Sequence, residues 1–142
     1  MSLALLSWIP GTREWVRTTF TPRVELRLRK ELRALLRTTD ARAVALWHPR
    51  DRDADLITFA GDLDAVPEQA VERRSSVPSF QDVRLRDGSR EVAVVHGVRL
   101  GRGLPSLTLA AVACGVDRST DLFDAVELVG EALEEIVVSA LP

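Results

Sequence analysis

The closing residues constrain this fold more than any other stretch of the chain. Leu122, Val126, Val129, Leu133, Ile136, Val137 and Ala140 recur at three- and four-residue spacing, which makes one apolar stripe on a helix. Asp121, Asp124, Glu127, Glu131, Glu134 and Glu135 cluster around the other side, and Ser119 or Thr120 stands where a side chain caps the first amides. A helix apolar on one side must lay that side on another element. A second such segment lies near the start. Thr21-Pro22 supplies a cap and a proline for the first helical position, and Val24, Leu28, Leu32, Leu35 and Leu36 then share one face. Arg23, Arg27, Lys30, Arg33 and Arg37 fall opposite, so the spacing predicts a basic amphipathic helix over 22–38.

Between the two helices the apolar runs are short, which suits strands. Ala43–His48 reads as one strand, and the polar stretch 50–55 turns the chain into Leu56–Ala60, closed by Gly61. Pro67 with Glu68–Arg74 behind it predicts one short helix within Asp62–Ser76. Phe80, Val83 and Leu85 lead to Asp87-Gly88, a favoured two-residue hairpin turn, with Glu91–Leu100 as the return strand. Leu107–Cys114 is a nearly continuous apolar run of strand length. The expected architecture is α/β of the α+β type: an antiparallel sheet of about five strands flanked by N- and C-terminal helices. Residues 1–21 form an N-terminal arm, and residues 22–142 form a single domain.

Composition narrows the class. The chain has 142 residues, 46% apolar and 28% charged, which suits one ordinary globular core. Its longest apolar runs fall well short of the ~18 residues that span a bilayer. Met1–Pro10 lacks a basic start and a small-residue cleavage site, so the reading is cytoplasmic. A single cysteine, Cys114, excludes an internal disulfide and argues against a cysteine-based metal centre.

Net charge is only −2, yet it is segregated. Residues 1–50 carry ten basic against four acidic side chains, and residues 51–142 carry nine against seventeen. Either the two terminal helices neutralise each other within one chain, or each meets its opposite on a second copy. Residues 23–37 are net +4 and residues 117–135 net −6, which favours basic-against-acidic packing and opposes like-with-like. Arg27, Lys30, Arg33, Glu127, Glu131 and Glu134 are therefore the expected contacts of a homodimer.

Several stretches resemble GAF-like sensory domains. "REVAVVHGVRL" stands where those domains carry an apolar "vavPl" strand, "SLTLAAVACG" where they carry "iGvLal", and "DLFDAVELVGEALEEIV" is similar to their closing helix. "LRLRKELRALLRTTDARAVALWHPRDRDADLITFAGD" is similar to their opening helix and first hairpin. His96-Gly97 replaces the family's usual proline, and Gly61–Ser79 is short for a ligand-enclosing member. The compact middle also resembles roadblock/LC7 domains, homodimerising scaffolds that regulate GTPases, with "FQDVRLRDGSREVAVV" as the central hairpin. The resemblances imply a GAF/profilin-like sheet and either a non-catalytic regulatory domain or a protein scaffold, which fold alone does not decide.

The residues themselves carry no catalytic signature. No phosphate-binding G-x-x-x-x-G-K-[ST], dinucleotide G-x-G-x-x-G, H-E-x-x-H or C-x-x-C is present, and no cofactor is assigned. Cys114 lies in an apolar strand, where a free cysteine behaves as a small inert hydrophobe. Alternation from Val92 places Val94 and His96 on one strand face, with Val95 and Val98 on the other across Gly97. Trp47 and His96 are the candidate ligand contacts, should a pocket of the family's kind line that face. A basic helix face with few aromatics and no tyrosine disfavours nucleic acid, and a packed N-terminal arm is preferred to a membrane contact. The expectation is a non-enzymatic, dimeric regulatory domain whose partner is a second copy, a small molecule or another protein.

Overall fold

A computed structural model describes residues 13–49, 54–65, 79–81, 91–101, 104–114 and 119–141. Three α-helices occur among them: α1 (Arg13–Thr19), α2 (Pro22–Thr38) and α3 (Ser119–Ala140). Four long strands, β1 (Ala41–Pro49), β2 (Ala54–Gly61), β4 (Glu91–Val98) and β5 (Leu107–Cys114), form an antiparallel sheet, and the three-residue β3 (Ser79–Gln81) pairs at one edge. The strand order is β2-β1-β5-β4-β3, so β1 and β5, distant in sequence, meet at the centre. The expected α+β class, with an antiparallel sheet between terminal helices, holds. Pro67, Glu68–Arg74, Val83, Leu85 and the Asp87-Gly88 turn lie outside the described residues.

The helix starts follow from local chemistry. Thr21 is extended, its hydroxyl accepts from the Val24 amide at 3.4 Å, and Pro22 opens α2. At the far end α3 begins at Ser119, where the sequence places the helix start. Gly61 ends β2 with φ +80°, where a Cβ would lie 2.2 Å from the Arg42 carbonyl oxygen, so only glycine closes that hairpin edge.

Both long helices pack on the same face of the sheet. Leu28, Leu32 and Leu35 of α2 and Leu122, Val126, Leu133 and Val137 of α3 share one core with Val44, Leu46, Val94, Leu107, Leu109 and Ala111. The register places those strand residues on a single face, since Val44 stands opposite Ala111 and Ala111 opposite Val94. Helix α2 lies over β1 and β2, α3 lies over β4 and β5, and the two helices touch each other. Val95 and Ala110 form a separate small cluster on the opposite face. Val98 corrects the expectation: alternation runs unbroken through Gly97, so Val98 joins Val94 in the main core. Val129 is only partly buried, flanking that core.

The N-terminal arm contributes to this core. Trp15 of α1 is buried, edge-on to Phe20 (ring centroids 5.6 Å apart, planes at 89°) and tilted over His48 at 5.4 Å. A polar tether also fixes α2 to the sheet. Arg29 pairs with Glu25 one turn earlier, its Nε donates to Thr58 Oγ1 at 3.3 Å, and that hydroxyl donates to Glu25 Oε1 at 3.3 Å.

Candidate functional site

The outward faces of α2 and α3 form one continuous surface. On α2 the exposed residues include Arg23, Leu26, Arg27, Lys30, Arg33 and Arg37. On α3 they include Asp121, Asp124, Leu128, Glu131, Glu135 and Val138. Helical geometry explains both sets, because residues three and four apart stack on one side and the core takes the other. The result is a basic ridge beside an acidic ridge, each carrying apolar residues that the chain's own core leaves outside. Leu26 is 62% exposed, Leu128 69% and Val138 44%.

Among the described residues no ion pair joins these two ridges: the pairs seen there include Arg17–Glu14, Arg29–Glu25 and Arg42–Asp62, none of which links α2 to α3. Of the expected dimer contacts, Arg27, Lys30 and Arg33 stand on the outer face, as does Glu131. Glu127 and Glu134 are only partly exposed, on the flanks of α3, whereas Asp124 and Glu135 project outward with Glu131. The sequence reading missed these last two because it could not tell which part of the acidic arc faces away from the sheet.

Trp47 and His96 fall on opposite faces of the sheet. His96 shares the helix-covered face with Val94, is only 7% exposed, and lies directly beneath Gly130 of α3. A Cβ at residue 130 would sit 2.6 Å from its Cδ2 and 2.7 Å from its Nε2, so the glycine lets the helix backbone close onto the ring. His96 Nδ1 is buried with no hydrogen-bond partner. Burial pushes the imidazole below its ordinary value of 6.5, the Glu127 and Glu131 carboxylates pull it back up, and Arg99 adds to the lowering. Gly130, alone inside an otherwise well-formed helix, is the sequence signal that marks this close approach.

Trp47 stands on the other face, paired in register with Thr108 of β5, and Thr108 in turn with Gly97 of β4. Trp47 Nε1 and Thr108 Oγ1 are both buried without a hydrogen-bond partner, which leaves a donor and a hydroxyl side by side next to a residue with no side chain. Thr108 was invisible to sequence reasoning, because its neighbour Trp47 comes from a strand about sixty residues away. Cys114 ends β5, and its side chain lies outside the described residues.

Among the described residues no group of three His, Cys, Asp or Glu side chains could hold a metal ion, and no helix is long and apolar enough to cross a membrane. The two histidines lie within the helix-covered core. No family model, curated protein or solved structure matches this chain.

Proposed function

We propose that this chain is a non-catalytic, cytoplasmic regulatory domain of GAF-like architecture, with β3 as its fifth strand, that works as a homodimer. One observation carries the reading: the basic outer face of α2 lies beside the acidic outer face of α3, and no ion pair among the described residues joins them. A two-fold axis between two copies sets α2 of each against α3 of the other, so both contacts are basic against acidic. Leu26, Leu128 and Val138 supply apolar contact there. Exposed ion pairs contribute little each, so the charges choose the partner and its orientation.

Sedimentation velocity at micromolar concentration and low salt tests this. Wild-type protein should sediment as a dimer, and Arg27→Glu, Lys30→Glu and Arg33→Glu together should shift it toward monomer. A monomeric wild type refutes the reading. The orphaned Trp47 Nε1 and Thr108 Oγ1 support a second reading, in which the sheet face opposite α2 and α3 holds a small uncharged polar molecule. Native mass spectrometry of the purified protein tests it, with a retained non-peptide mass as the expected result. A roadblock-like scaffold for another protein is the alternative, and it calls for a filled sheet face and a sheet-to-sheet or middle-helix dimer instead of one built on α2 and α3.

A further inference from the structure

His96 and the proposed dimer surface share a pair of carboxylates. Glu127 and Glu131 sit on α3 three residues before and one after Gly130, the residue pressed against the His96 ring, and both act electrostatically on that ring. Glu131 also projects onto the outer acidic ridge. These carboxylates can therefore offset a positive charge on either side of the helix: an imidazolium from within, or a cation of a second copy from without. We infer that His96 ties proton uptake in the core to release of the partner copy from α3, a regulation that rests on the dimer reading above.

The sign follows from the charges around the ring. On α3 these are Glu127 and Glu131, and Arg99 follows β4. Its cross-strand neighbour on β5, Leu109, carries no charge. Arg27, Lys30 or Arg33 of a second copy beside Glu131 draws on the same carboxylates and so disfavours a proton on His96. By linkage, a proton on His96 disfavours the second copy to the same extent. Geometry adds to this: with Gly130 closed onto the buried ring, an imidazolium there depends on Glu127 and Glu131 of the same helix that bears the outer ridge.

The chain has only two histidines, so few groups titrate between pH 7.5 and 5.5, and the effect can be assigned. Sedimentation equilibrium across that range should find the wild-type dimer weakened about fivefold or more at the acid end, a typical coupling between sites. His96→Gln should abolish most of this change. Imidazole proton NMR on wild-type protein should place the His96 titration at lower pH in concentrated than in dilute solution. Should His96→Gln fail to fold, Glu127→Gln, which keeps the ring, should shrink the ratio of the dimer affinities at the two pH values, whatever it does to the affinity itself. A dimer whose affinity is the same at both pH values, or whose His96 titration ignores concentration, overturns this inference while leaving the dimer standing. A monomer at every pH overturns both.

Discussion

Substituting Gly130 sets helix propensity against space. Glycine in a helix interior costs about 1 kcal/mol relative to alanine, so Gly130→Ala in an open site should stabilise α3 by that amount. Here the new Cβ would lie 2.6–2.7 Å from two atoms of a ring that is 7% exposed, held between β4 and the helix. Overpacking of this kind costs ~1–3 kcal/mol, so the balance should be a net loss of ~1 kcal/mol. Urea unfolding followed by circular dichroism at pH 7.5 measures it, and a melting temperature lower by ~2–6 °C should accompany the change. Pairing the substitution with His96→Ala isolates the cause. In that background the ring is gone, and Gly130→Ala should recover its gain of about 1 kcal/mol, giving a coupling of ~1–3 kcal/mol between the two positions. A Gly130→Ala protein more stable than wild type by the full helix-propensity gain would refute the close packing of α3 on His96.

Other perturbations have equally definite outcomes. Leu133 is fully buried between α3 and the sheet, so Leu133→Ala should cost ~2–5 kcal/mol in chemical denaturation. Because burial holds the folded His96 below 6.5, its contribution to stability is complete above that pH and declines as pH falls through it toward the lower folded value. The melting temperature should drop from pH 7.5 to 5.5, and by less in His96→Gln. Thr58→Val removes the hydroxyl that links Arg29 to Glu25, and a loss of about 1 kcal/mol is expected, since the two partners it leaves are only half-buried and still pair with each other. Cys114→Ala should stay folded and dimeric by sedimentation, with at most a modest loss from packing.

The elements that periodicity defines were legible in the sequence. Helix α2 spans the residues that the Thr21-Pro22 signal and the leucine spacing predict, and β5 coincides with the apolar run Leu107–Cys114. Helix α1 was not legible. Arg13–Thr19 is too short to show an amphipathic period, and what holds it is tertiary: Trp15 buried against Phe20 and His48. The exposed cations of α2 were readable because leucines mark the opposite face so clearly. The acidic helix is apolar or acidic nearly all round, so Asp124 and Glu135 could not be told from Glu127 and Glu134 until the sheet fixed its rotation. Strand pairing brought Trp47 beside Thr108, and helix docking brought Gly130 onto His96. Gly130 alone hints at a close approach, but neither partner could be named from the sequence, because each contact joins residues from separate elements.

The basic-against-acidic dimer is tested most directly by exchanging its charges. One variant carries Arg27→Glu, Lys30→Glu and Arg33→Glu, which makes both outer ridges acidic, and another carries Asp124→Lys, Glu131→Lys and Glu135→Lys, which makes both basic. Each alone should sediment as a monomer at low salt, because like charges then meet at both contacts. Mixed in equal amounts, the two should form a heterodimer by analytical ultracentrifugation, weakening as salt is raised. Two variants that remain dimeric alone, or a mixture that stays monomeric while the wild type dimerises, would contradict the pairing of α2 with α3.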